Sequence, residues 1–245
     1  MKRQKAIENN LGLYEAVFAG HGLRWLRSPL AWTSAEKAPT YYSNLVTRAP
    51  EWRPDGEFRA IDETSRRDGW PHWSIKDSFA NLDLRAFGFA RLFDAQWIYL
   101  EAANFLPARG TSGIRYELVG TADALSQWRT AWDPNPQLGK EIFRDSLLGD
   151  PKLHFVIGYR GGVAVSGCAI NRTDDVLGIS NCFCPDTDIL HWSEMVGFVQ
   201  ATFGKIDMVG YERSDLVARL RGLGFENVGN LCVWLKTAET HAAET

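Results

Sequence analysis

The chain has 245 residues, 45% of them hydrophobic and 23% charged, with a formal net charge of −3. That balance is typical of an ordinary globular protein with a substantial core. It argues against a dedicated nucleic-acid binder, which needs a surplus of positive charge to displace counterions. No apolar run is long enough to span a bilayer, and Met1-Lys-Arg-Gln-Lys is followed by Ile-Glu-Asn-Asn rather than by the apolar stretch of a signal peptide. The expectation is therefore a cytoplasmic protein with no membrane partner.

In chain order, Asn10–Ala19 reads as a helix and Leu23–Thr33 as an early strand region. Ser43-Asn44 sits in an apolar run, Tyr-Tyr-Ser-Asn-Leu-Val-Thr, that reads as a strand, and Arg66-Arg67-Asp68 as a solvated helix end. Leu84-Arg85-x-x-Gly88-Phe89 leads into a strand carrying Trp97. Gly113–Gly120 is the next strand, Leu125, Trp128 and Trp132 share one helical face, and Ile142, Phe143, Leu147 and Leu148 suggest a second helix. His154–Tyr159 and Val163–Asn171 form a hairpin across Arg160-Gly161-Gly162, where paired glycines supply positive φ. Val176–Cys184 is a third strand in that meander. Trp192, Met195, Val196, Val199 and Phe203 make a helical stripe, and Ile206, Met208 and Val209 a short strand. Ser214 is expected to cap a helix bearing Leu216, Val217, Leu220 and Leu223, which Gly222 and Gly224 end before a last strand from Phe225 to Leu235.

The order β-α-α-β-β-β-α-β-α-β over residues 113–236, closed by Leu-Gly-Phe, resembles the GNAT acyltransferase superfamily, an α/β fold around a mixed sheet. The first half echoes the second. Ser43-Asn44 answers Ser180-Asn181 at an offset of 137, Pro50-Glu51 answers Pro185-Asp186 at 135, and Leu84-Arg85-x-x-Gly88-Phe89 answers Leu220-Arg221-x-x-Gly224-Phe225 at 136. Unlike motifs at a near-constant offset indicate an internal repeat. The chain thus reads as a tandem: a shortened GNAT-like half over 1–105, a complete one over 113–236, and a flexible tail over 237–245.

The resemblance implies an acyl-CoA-dependent N-acyltransferase acting on a small-molecule amine, with acetyl-CoA or another acyl-CoA as co-substrate. Its pyrophosphate loop has the pattern R/Q-x-x-G-x-G/A, in which small residues let backbone amides reach phosphate at a helix N-terminus. In the first half Arg53 and Gly56 match that register, Phe58 replaces the last small residue, and Arg48 and Arg59 add charge. The second half carries Asp186 and Asp188 there and no glycine, which would repel phosphate. Many family members place a tyrosine acid five residues before the phenylalanine of the Gly-Phe turn; here Leu84 and Leu220 stand at those places. Tyr211 and Glu212 at a strand end are the remaining acid–base candidates, with Glu212 able to act as base on an amine, and Asn181, with Ser180, can hydrogen-bond a carbonyl. The competing reading is a catalytically degenerate tandem that binds a ligand or partner in the cleft between halves.

Other chemistry finds little support. Cys182-x-Cys184 is not completed by further ligands, and the five histidines are scattered, so no metal site is expected. No G-x-S-x-G nucleophile elbow is present. Six of the ten tryptophans, Trp25, Trp32, Trp52, Trp70, Trp73 and Trp97, fall in the first half, which reads as packing area for a half with few elements, with an aromatic ligand cage as the alternative. The acceptor, the acyl group and the oligomeric state are not encoded in any motif.

Overall fold

A computed structural model describes residues 1–133, 135–184 and 189–238. Its described residues form two compact units, one within 1–21 and 95–229 and the other within 22–94 and 230–245. These boundaries are drawn along different lines from the sequence repeat, because α1 (Lys2–Gly20) belongs to the first unit and two strands, β5 (Ala90–Leu100) and β11 (Glu226–Thr237), run from one unit into the other.

In the first unit, β5 is followed in space by β10 (Asp207–Glu212), β9 (Val176–Phe183), β8 (Val163–Thr173), β7 (Leu153–Arg160) and β6 (Arg115–Leu118). All neighbours are antiparallel except β9 and β10. Gly161 and Gly162 turn the β7–β8 hairpin with φ of 58° and 82°, as the paired glycines require. One face is covered by α5 (Ile189–Phe203) and α6 (Ser214–Leu220): Trp192, Met195, Val217 and Leu220 meet Ile98, Leu100, Leu177, Ile179 and Met208 in one buried cluster.

Two helices, α1 and α3 (Ala122–Trp132), pack on β8 and β9. The expected N-terminal helix is longer than the span read from sequence, and its partners lie late in the chain, on β8, β9 and β10. Its fit there is polar as well as apolar. Asn9 Nδ2 donates to the Asn171 carbonyl at 3.1 Å and to Thr173 Oγ1 at 2.8 Å, while Asn171 Nδ2 donates back to the Asn9 carbonyl at 2.8 Å. A Cβ on Gly178 would overlap both carboxamide oxygens, so only glycine lets α1 settle this close.

The second helix expected near Ile142–Leu148 is instead α4 (Pro136–Ile142) followed by a 3-10 turn over Asp145–Gly149. Buried Arg129 explains the break, since its guanidinium donates to the Phe143 carbonyl and to Asp145, each at 2.8 Å, and holds the chain out of helical register. Ser214 is not a cap: Arg213 occupies the N-cap position of α6 and makes no side-chain capping bond. Asp215 in the first turn supplies the favourable charge instead.

The second unit has the order β1 (Leu26–Arg27), β2 (Ala31–Thr33), β3 (Leu45–Thr47), β4 (His72–Asp77) and then β11. The pair β3–β4 is parallel and the rest antiparallel. Its helix α2 (Gly56–Arg67) is capped by Asp55, whose carboxylate accepts the Phe58 N–H at 3.0 Å. The core is aromatic: Trp52, Phe58, Trp70, Trp73, Phe89 and Trp234 cluster with Ile61 and Ile75. Packing area is thus what these tryptophans supply.

The Leu-Arg-x-x-Gly-Phe turns have the same geometry in both copies. Gly88 and Gly224 have φ of 83° and 96°, and each donates to the arginine carbonyl three residues back at 3.0 Å. Phe89 and Phe225 then donate to Leu84 and Leu220, each at 3.3 Å. This 6→1 bond across a left-handed glycine ends the turn and throws the phenylalanine into the core.

Candidate active site

A parallel pair that opens part-way along its length creates the most distinctive feature of the first unit. Register between β9 and β10 runs from Val176↔Asp207 to Gly178↔Val209 and stops, although β9 continues to Phe183 and β10 to Glu212. At the last close point a Cβ on Gly210 would lie 2.5 Å from the Ile179 carbonyl oxygen. Beyond it the strands part. A β-bulge on the other side of β9 accounts for this: Gly167 faces Phe183 and Ala169 faces Ser180, leaving Cys168 opposite both Asn181 and Cys182. Asn181 absorbs the extra residue in the left-handed region, at φ 51°, and Asn is among the side chains that tolerate it best. The bulge bends β9 away from its parallel neighbour and leaves two backbone edges facing an opening.

Glu212 stands at the end of β10 beside this opening. The residue is partly exposed but its carboxyl group is enclosed, and that loss of solvent pushes it up to about 7; the Arg213 N–H bonded to it pulls the other way, and the charge of Asp215 adds to the rise. Cys182 comes from the opposite strand. Burial, its hydrogen bond with Cys168 and the neighbouring Glu212 and Cys184 all hold its thiol protonated, well above the usual range. On β5, Gln96 is the direct cross-strand partner of Glu212, and Trp97 that of Tyr211.

A partly buried polar group lies under the N-terminal part of α5. Tyr116 Oη lies 3.1 Å from Ser166 Oγ and donates to the His191 carbonyl at 3.2 Å, while Arg160 Nη2 lies 2.9 Å from His191 Nε2. Burial pushes the Tyr116 phenol up and keeps it a donor.

No protein-family model and no curated protein matches the sequence. Solved structures do. A GCN5-related N-acetyltransferase from Kribbella flavida superposes with a TM-score of 0.67 at 14% identity, over 95% of both chains. A tandem GNAT protein from the clavulanic acid biosynthesis pathway superposes with a TM-score of 0.56 at 11% identity, again over 95% of both chains. The fold is GNAT-like. A GCN5-related N-acetyltransferase from Sphaerobacter thermophilus aligns over 79% of this chain and 72% of its own, with a TM-score of 0.54 at 13% identity.

Within this GNAT fold the sequence-derived candidates fall in different places. Glu212 and Asn181 flank the same opening, and Asn181 Nδ2 donates to Ser180 Oγ at 3.2 Å. Tyr211 is on the other face of β10, its ring edge-on to Trp97 at 5.6 Å, because consecutive strand residues point to opposite sides. Asp186 and Asp188 lie outside the described residues. In the second unit, the place where β9 and β10 part is closed in the corresponding pair: Leu45↔Ile75 and Val46↔Lys76 are in register, Asn44 N–H donates to the Ser74 carbonyl at 3.0 Å, and Ser78 N–H donates to Thr47 Oγ1 at 2.8 Å. Ser43 and Asn44 precede β3 and are buried against β4, with Ser74 Oγ donating to Ser43 Oγ at 3.1 Å.

The first-half loop residues lie before α2 and in its first turn. Arg53 donates to the carbonyls of Pro50 at 2.9 Å and Trp52 at 2.6 Å, and half-buried Arg48 donates to that of Ser28. Gly56 opens α2 with free space where a Cβ would be, and Arg59 is exposed one turn on. Sequence reasoning passed over Gln96 and Tyr116, since neither belongs to a motif; only strand pairing identifies them.

Proposed function

We propose that the protein is an acyl-CoA-dependent N-acyltransferase of a small-molecule amine, with its working site at the opening between β9 and β10 and with Glu212 as general base. The observation that carries this is the opening itself: a parallel pair that ends at Gly178↔Val209 and leaves Glu212 at its mouth. Two unpaired strand edges suit an extended chain bearing amide groups, which adds to them as a further strand does. The pantetheine arm of an acyl-CoA is such a chain, and it supplies a thioester carbon for attack. Backbone groups around Asn181, re-aimed by the bulge, are suited to polarise the thioester carbonyl.

Glu212 then takes a proton from the amine as its nitrogen bonds to the acyl carbon, and the thiolate of CoA leaves. A carboxyl near 7 is well matched to this task, being half ionised at neutral pH yet basic enough to drive the transfer. Arg53, Gly56, Arg48 and Arg59 constitute the competing location for the pyrophosphate. The closed β3–β4 pair weighs against a second working site beside them, and a scaffolding role suits the first half better.

Calorimetric titration with acetyl-CoA, followed by thiol release in the presence of amines, tests the proposal. Wild-type protein should bind and turn over, with kcat/KM rising with pH to a plateau and a midpoint near 7. Glu212→Gln should retain binding and lose at least a hundredfold in turnover. Absence of any heat with millimolar acetyl-CoA would dismiss the enzyme; binding without turnover would leave the degenerate tandem.

A further inference from the structure

Gln96 shares more than a strand pair with Glu212. Residues directly opposite in an antiparallel pair point to the same face, with Cβ atoms about 5 Å apart. The face is known here, because Ile98 and Leu100 on β5 and Met208 on β10 belong to the cluster under α5 and α6. Stepping along by two, Gln96 and Glu212 extend that face past its apolar part, so two polar side chains stand side by side where the core ends. Gln96 is partly exposed and, among the described residues, makes no side-chain hydrogen bond. A carboxamide carries two donors and an acceptor, and those of Gln96 are left for something else.

The geometry points to Gln96 as an acceptor-binding residue that selects primary amines carrying a neutral hydrogen-bonding group, such as a hydroxyl, close to the nitrogen. This rests on the acyltransferase reading for Glu212 and adds the class of acceptor. An amine held at Glu212 places its neighbouring carbons beside β5, within reach of Gln96. A neutral carboxamide bonds a hydroxyl as donor or acceptor. A carboxylate there would instead meet the neighbouring Glu212 carboxyl, a like charge, so amino acids are disfavoured.

Two probes differing by one hydroxyl decide the matter: 2-amino-1-phenylethanol and 2-phenylethylamine, titrated calorimetrically into wild-type protein, Gln96→Met and Gln96→Val. Both replacements suit a strand, and urea midpoints verify folding. Wild-type protein should favour the amino alcohol by about threefold to tenfold, the worth of one neutral hydrogen bond. Either variant should reduce the preference to about one. Equal binding of both probes, binding of neither, or a preference unchanged by the variants would overturn the inference. Acetyl-CoA turnover on the same samples reports separately on the acyltransferase reading: a Gln96-dependent preference without thiol release removes that reading alone, and thiol release without such a preference removes this one alone.

Discussion

Glu212→Gln should make the protein more stable at alkaline pH while abolishing acyl transfer. In the folded chain the carboxyl keeps its proton up to about 7, whereas in the unfolded chain it gives it up near 4.5. Between those values the folded state holds the extra proton. Stability from this group is therefore greatest below 4.5 and declines as pH rises through 7. At about 1.4 kcal/mol per pH decade the interval amounts to about 3–4 kcal/mol, a ceiling that solvent reaching the partly exposed residue lowers. Glutamine never ionises and escapes the loss. Urea unfolding of both proteins, followed by tryptophan fluorescence at pH 4.5 and pH 8, measures the difference. Wild-type and variant midpoints should agree within a few tenths molar at the lower pH, and the variant should unfold at up to about 1 M higher urea at pH 8, for a slope near 3 kcal/mol per molar. Groups that titrate in both proteins cancel from the comparison. Parallel pH profiles would refute the enclosed carboxyl and, with it, the argument that this residue is tuned for proton transfer.

Gly178→Ala should destabilise the protein by about 2–3 kcal/mol, read from urea midpoints, because its methyl group displaces the reciprocal Asn9–Asn171 carboxamides and leaves buried polar atoms unpaired. Asn181→Gly should leave stability within about 0.5 kcal/mol, while Asn181→Val should cost about 1–2 kcal/mol and depress turnover, since a β-branched residue resists φ of 51°. Arg53→Ala should change acetyl-CoA affinity less than twofold by calorimetry; a tenfold to hundredfold loss would relocate the pyrophosphate to the first half.

Local signals in the sequence carried the turns. The Leu-Arg-x-x-Gly-Phe segments adopt one geometry at both sites because a left-handed glycine and its 6→1 bond are properties of six consecutive residues. Paired glycines at 161 and 162 are legible for the same reason. What depends on distant partners was not legible. The apolar spacing of α1 announces a helix but not that β8, β9 and β10 receive it. Ser214 has the chemistry of a cap, yet the helix begins at that residue rather than after it. Glu212 was visible as a carboxylate at a strand end, whereas its enclosure and its pairing with Gln96 follow from register across more than a hundred residues. Asn181 was noticed for its amide; its left-handed backbone, which opens the sheet, leaves no trace in composition.

The late partners of α1 have a consequence for how the protein is made. Its apolar residues, Ile7, Leu11, Tyr14, Val17 and Phe18, are all buried in the finished molecule, yet β8 begins only at Val163. At ribosomal speeds of about 5–20 residues per second, this sticky helix waits roughly seven to thirty seconds for a surface to land on. The strands β4 and β11 wait similarly, since His72–Asp77 is completed by Cys232–Thr237. Nascent chains of this protein should therefore depend on holding chaperones far more than a chain whose two copies closed one after the other, and a transcript truncated after residue 105 should yield aggregate rather than a smaller working unit.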